Sequence, residues 1–212
     1  MVWPCRLSVE AYARAGKKVV APRLGCPACA VPMTFRSGYW RYVRAGTDFR
    51  IWVRRAECPR CGVSRALLPS FCLVRRLDTV EVVGATVAGA LDGQVVAVPV
   101  GVGATTARAW VRRHRERAPA LVAAARHLVP RLPGLGAPAR PLSFEVEGLW
   151  AVQAVAAALW VGLGTWAAVS LLTSGAWLAP ATTTDPPRAS AFSTAEGAVM
   201  VPATPQDSRR PP

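Results

Sequence analysis

The sequence predicts an α+β fold: a small β-hairpin bounded by cysteine pairs, then a helical bundle, an apolar helical segment and a disordered tail. Three observations predict it. Two C-P-x-C pairs, at 26–29 and 58–61, bracket a stretch of period-two alternation; apolar residues recur at spacings of three and four from residue 78; and the 32 residues from Gly148 to Ala179 carry no charge. With 212 residues and 52% hydrophobic content, the chain can bury the core of one ordinary domain or of two small ones.

Residues 1–25 read as a short lead-in that packs on the region after it. They hold one short helical pattern, SVEAYARAG, with Ser8 as N-cap and Gly16 as stop. Residues 26–77 read as β: YWRYVRA and FRIWVRRA flank the turn Ala45-Gly46-Thr47-Asp48, and Phe49, Ile51 and Val53 alternate with Arg50, Trp52 and Arg54. Residues 78–129 read as helical, with Val80, Val83, Val87 and Leu91 forming one buried face.

Within that region VAVPVGVGATTARAWVRRHRER (96–117) has the order of a helix-turn-helix: a short helix, Gly101 at the turn, then a second helix from near Ala104 with Trp110 facing inward. Pro99 predicts that the first of these helices is short or kinked, because an interior proline costs about 3 kcal/mol. Residues 130–147, containing PRLPGLGAPARP, read as a linker. The apolar segment 148–179 reads as two helices, about 149–161 and 165–174, the second capped by Thr165 and ended by Gly175. Residues 180–212, rich in Pro, Thr, Ser and Ala, read as a disordered tail.

Charge is distributed unevenly. Up to Arg131 there are 22 basic and 7 acidic residues, and beyond it 4 basic and 5 acidic, so the net charge of +14 belongs to the first part. A basic half beside a neutral apolar half points to a polyanionic partner, with double-stranded DNA the leading expectation. On the second expected helix Thr105, Thr106 and Arg108 are placed to reach base edges, and Arg112, Arg113, Arg115 and Arg117 to reach phosphates. The alternative is an ordinary arginine-rich amphipathic helix.

The cysteines carry the sharpest signal. Cys26, Cys29, Cys58 and Cys61 form two C-P-x-C turns separated by 28 residues, the spacing of a zinc ribbon in which four thiolates close on one structural Zn²⁺. Proline fixes φ after the first ligand of each turn, and Gly62 lets the backbone curl behind the second. A dithiol redox pair needs one such motif at a helix N-terminus, whereas here two flank strands. Unliganded buried thiols are the other alternative. Cys5 and Cys72 lack partners at ligand spacing and read as small core residues, and His114 and His127 as core or surface histidines.

WPCRLSVEAYARAG (3–16), CPAC (26), ECPRCG (57), ALLPSFCLVRRLDTVEVVGA (66–85) and GVGATTARAWVRRHRERA (101–118) together resemble the bacterial domain family of unknown function numbered 6431, over roughly residues 3–118. The resemblance implies a zinc ribbon followed by a transposase-like helix-turn-helix, with Cys26, Cys29, Cys58 and Cys61 as ligands. It further implies that Thr105, Thr106, Arg108 and Arg112 face DNA, and it implies no reaction. Two positions depart from the pattern: Ala30 stands where a knuckle glycine is common, and Pro99 where a helix former is expected.

A catalytic transposase domain needs three carboxylates to hold two metal ions, and after Arg131 only Glu145, Glu147, Asp185, Glu196 and Asp207 are available. The expectation is therefore a protein without enzymatic activity. No secretory signal is visible, so a reducing cytoplasmic setting is expected. The uncharged run is long enough for a membrane span, but Gln153, Thr165, Ser170 and Gly162-Leu163-Gly164 interrupt it. Two short helices covering the first domain, or a second copy of the chain in a homodimer, are the preferred reading. A membrane-anchored DNA-binding or sensor protein, and a module that docks a protein through Tyr39, Trp40, Tyr42 and Trp52, are further alternatives.

Overall fold

A computed structural model describes residues 1–128 and 143–178. In chain order the elements are β1 (Val2–Trp3), α1 (Val9–Ala15), a 3₁₀ turn (Gly16–Lys18), β2 (Thr34–Ala45), β3 (Thr47–Glu57), β4 (Ser64–Pro69), α2 (Val80–Leu91), α3 (Ala104–Leu128), α4 (Phe144–Leu159) and α5 (Thr165–Leu172). The fold is α+β, as expected.

The expected caps form on α1. Ser8 Oγ accepts from the Ala11 N–H, and Gly16 ends the helix at φ 53°, in the left-handed region that glycine tolerates. Strands β2 and β3 pair antiparallel along their whole length, from Thr34↔Glu57 to Ala45↔Thr47, and turn on Gly46 at φ 81°. The period-two reading holds: Ile51 and Val53 are fully buried, and Trp52 and Arg54 lie on the other face. Two strands escaped the sequence reading. SRALLP forms β4, antiparallel to β3, and the first residues form β1, parallel to β4, giving the sheet order β1-β4-β3-β2.

The sheet and α1 close one core around Tyr12, Met33, Val43, Ile51, Val53, Leu67 and Phe71. The helices close a second. Val80, Val83 and Val87 of α2 meet Trp110 and Val111 of α3, Val152 and Val155 of α4, and Val169 and Leu172 of α5. The apolar segment therefore covers the preceding helices, and it does so from one more turn than expected. The helix α4 starts at Phe144, inside the expected linker, because Ser143 caps it (Val146 N–H to Ser143 Oγ, 3.4 Å) and Glu145 and Glu147 suit the positive end of the helix dipole. Helix α5 is preceded by Gly164 as N-cap, not Thr165, which is its first residue. Among the described residues no helix is long and apolar enough to cross a membrane. Residues 129–142 and 179–212, which hold most of the expected linker and the whole expected tail, lie outside the described residues.

The expected short helix over 96–100 does not form. Residues 92–103 are a twelve-residue connection without regular structure, bent at Gly93 (φ 79°) and Gly101 (φ 74°). Its run of β-branched valines lowers helix propensity, and Pro99 ends up in a turn closed by Val102 N–H to Pro99 O, 3.0 Å. The helix preceding α3 is thus α2, and the connection is longer than the three or four residues of a helix-turn-helix. The helix α3 starts at Ala104 as expected but continues through Pro119 to Leu128, because Leu121 and Val122 beyond the proline are buried in the bundle.

Candidate metal centre

The open end of the β2–β3 hairpin carries the two C-P-x-C turns, and they are copies of one another. In the first, Ala30 N–H donates to Cys26 O (2.8 Å) and Cys26 N–H to Val31 O (2.9 Å). In the second, Gly62 N–H donates to Cys58 O (2.9 Å) and Cys58 N–H to Val63 O (3.0 Å). Each turn needs a left-handed residue after its second cysteine; Gly62 supplies it at φ 70° and Ala30 at φ 58°.

The turns bring the four sulfur atoms of Cys26, Cys29, Cys58 and Cys61 within 4.8 Å of one another. Three separations are 3.7 Å (Cys26 to Cys61), 3.9 Å (Cys26 to Cys29) and 3.9 Å (Cys29 to Cys58). Metal–thiolate bonds of about 2.3 Å at tetrahedral angles put neighbouring sulfurs about 3.8 Å apart, so these three separations match a shared ion and the four thiols together could hold one. The sites run from buried, at Cys26 and Cys58, to exposed, at Cys61. The Cys26 thiol is pushed down to about 7, chiefly by the backbone N–H of Ala28, whereas Cys29 is pushed up to about 12, first by its hydrogen bond with Cys61. One sulfur thus ionises readily, and Cys29 holds its proton until a cation offsets the crowded charge.

Cys5 and Cys72, read as core residues, are buried at 5% and 1% exposure, and burial pushes both thiols up, Cys72 to about 12. His114 is likewise a core residue: its Nε2 lies 2.9 Å from Glu145 O, and its ring meets Trp177 edge to face. The side chain of His127 lies outside the described residues.

The hairpin tip, at the far end of some eleven residue pairs or roughly 35 Å of strand, docks on the helices. Arg44 Nε donates to Asp78 Oδ1 at 2.7 Å, its Nη1 donates to Gly101 O, and its backbone bonds Leu77 O and Thr79 N–H. Gly101 lies three residues before α3, so the strand that starts at the thiol cluster ends against the entry to that helix.

Helix α3 separates its residues cleanly. Ala107, Trp110, Val111, His114 and Ala118 are buried, while Thr105, Thr106, Arg108, Arg112 and Arg115 are exposed and Arg113 is half-buried. Arg112 Nη1 pairs with Glu116 Oε1 at 3.3 Å, an exposed i,i+4 contact. Of the seven residues that the sequence singles out as DNA-facing, Thr105, Thr106, Arg108, Arg112 and Arg115 lie away from the buried face of this helix, whereas Arg113 and Arg117 are half-buried beside it. The sequence reading missed Arg44 and Asp78, whose roles depend on a contact 34 residues away in sequence. No protein-family model matches this chain, and no curated protein or solved structure does.

Proposed function

We propose that this chain is a zinc-stabilised DNA-binding protein without catalytic activity, acting in a reducing compartment. The observation that carries the reading is the exposed stripe of α3: Thr105, Arg108, Arg112 and Arg115 follow one another at spacings of three, four and three, so they share one side of the helix. Two short hydroxyl residues at the start and a row of guanidinium groups behind them suit a helix end entering a major groove, with the arginines on the flanking phosphates. The motifs at residues 3–118 that prompt comparison with family 6431 suggest a mobile-element or regulatory setting, although no family model matches the chain.

Zinc is the ion the donor set fits best. Tetrahedral thiolate sites select zinc or iron, and zinc imposes no geometry of its own. A complete shell of four sulfurs leaves no position for a catalytic water, so the ion's role is to hold the hairpin closed at its open end. A small sheet then folds with free energy that its own core lacks.

Two measurements on one purified sample test the reading. Metal analysis is expected to give one zinc per chain, lost together with the folded sheet in Cys58→Ser. Duplex binding is expected to weaken with salt at a log–log slope of about −0.9 per phosphate contacted, and Arg112→Ser with Arg115→Ser is expected to reduce that slope by about 1.8. A duplex affinity indifferent to salt, or untouched by the double substitution, sinks the DNA reading; iron in place of zinc sinks the metal assignment.

A further inference from the structure

An open groove of about 580 Å³ lies between the sheet and the segment 74–77. Its polar lining comes largely from Tyr39, Arg41, Tyr42, Arg65, Arg75 and Arg76, and no carboxylate lines it. We infer that this groove binds single-stranded nucleic acid, stacking a base on Tyr39, which shares its strand face with Arg41, while Arg65 and Arg75 neutralise its phosphates.

The four arginines divide into two pairs. Arg41 Nη2 donates to Leu73 O at 2.9 Å and also to Arg76 O, and Arg76 Nη2 donates to Leu178 O at 3.0 Å. These two hold the far wall in place. Arg65 and Arg75 are exposed and bond no protein group among the described residues, so their donors remain for a ligand. Arg75 also sits at φ 58°, a left-handed conformation that disfavours any residue with a side chain. Such positions collect at binding sites, where the local structure holds a side chain against its own preference.

The exposed ring selects the ligand. Tyr39 is 40% exposed on the face that carries Arg41. Guanidinium groups beside an exposed ring match a chain of anions carrying flat bases. A duplex keeps its base faces stacked inside, so only an unpaired strand presents them. The field reaches α3 as well: Arg76 is depressed first by burial and then by the charge of Arg113.

A free nucleotide offers the same base and phosphate, so the test carries both. Metal-loaded full-length protein is titrated against a labelled twelve-residue oligothymidylate, with thymidine monophosphate as competitor and a duplex as control. Tyr39→Ser is expected to weaken the oligonucleotide about 5- to 150-fold, the range for one stacked base. Arg65→Ser with Arg75→Ser is expected to flatten the log–log salt slope by about 1.4, at 0.7 per phosphate. Duplex affinity is expected to stay unchanged in both.

Arg75→Gly separates binding from folding. Glycine accepts the left-handed backbone, so the unfolding midpoint is expected to hold or rise while oligonucleotide affinity falls. Oligonucleotide binding unchanged by these substitutions overturns the inference, and so does a mononucleotide that competes as tightly as the oligomer. Loss of duplex binding alone in the α3 variants defeats neither this site nor its test, because the two ligands are read separately.

Discussion

Replacing Ala30 by glycine is expected to stabilise the protein, although it deletes a methyl group. The two cysteine turns make the same hydrogen bonds, yet one places glycine and the other alanine in the left-handed region, at φ 70° and 58°. A side chain in that region costs roughly 1–2 kcal/mol. Glycine returns about 0.5–1 kcal/mol of this through its greater freedom in the unfolded chain, and Ala30 is exposed, so almost no burial is lost. The net gain is about 0.5–1 kcal/mol. For a chain of this size that is roughly 1–4 °C in the unfolding midpoint, or about 2- to 5-fold in metal affinity where metal binding and folding of the turn are one event. The reciprocal change, Gly62→Ala, is expected to lose a similar amount for purely conformational reasons, because a Cβ there meets nothing within 4 Å. Thermal unfolding and competition with a chromogenic chelator measure both. If Ala30→Gly lowers or leaves unchanged the midpoint while Gly62→Ala lowers it, the two turns are not equivalent and the argument from their symmetry fails.

Packing and charge give three further expectations. A Cβ on Gly84 lands 2.3 Å from the Trp166 ring, which is itself stacked on Trp177 at 5.5 Å, so Gly84→Ala is expected to cost about 1–3 kcal/mol in urea unfolding. A smaller side chain at Trp166 is expected to relieve part of that cost, and strict additivity of the two changes speaks against the clash. Arg44→Ala leaves Asp78 buried without its cation; the loss is expected near the low end of about 3–5 kcal/mol, because Arg44 keeps 20% of its side chain exposed. Asp78→Asn in the same background is expected to recover stability, and no recovery argues against the ion pair as the cause. Burial holds His114 below its ordinary value of 6.5. The unfolded chain therefore binds a proton first, so His114's contribution is full above pH 6.5 and declines as pH falls below it, with a slope of at most about 1.4 kcal/mol per pH unit. His114→Gln is expected to flatten the profile between pH 7 and 5.5, and a variant that follows the parent throughout refutes the assignment.

What the sequence disclosed was local. The thiol cluster, the hairpin between its halves, the caps Ser8 and Gly16, the buried face Val80, Val83 and Val87, and the start of α3 each rest on neighbours within a turn or a strand. What it hid required distant partners. SRALLP carries no turn or alternation of its own and becomes a strand only because the β3 edge at Arg54–Glu57 accepts it. Residues 144–178 are apolar on nearly every side, the pattern of a helix buried all round, which period alone cannot tell from a membrane segment. Their true partners are α2 and α3. Helix α3 also runs through Pro119, where the burial of Leu121 and Val122 outweighs the hydrogen bond the proline removes.

The same distinction explains how the two ends of the hairpin depend on each other. At the open end four thiols are placed to share one cation; at the tip Arg44 is pinned to Asp78 and Gly101, beside the entry to α3. Strands β2 and β3 are paired without a break between these ends apart from one irregularity at Phe35 to Ser37. A long two-stranded ribbon is marginal alone, and this one is fixed at both ends by contacts of different chemistry. If a metal ion closes the open end, as proposed, its loss frees that end first. The tip then retains only Arg44 and its backbone bonds to hold a ribbon no longer closed behind it, and the turn at Gly101 loses a fixed neighbour. Chelation is therefore expected to raise amide exchange at residues 99–103 as well as at 26–31 and 58–63. Exchange confined to the cysteine turns shows that the ribbon does not carry the change along its length, and that α3 is placed by the helical core alone.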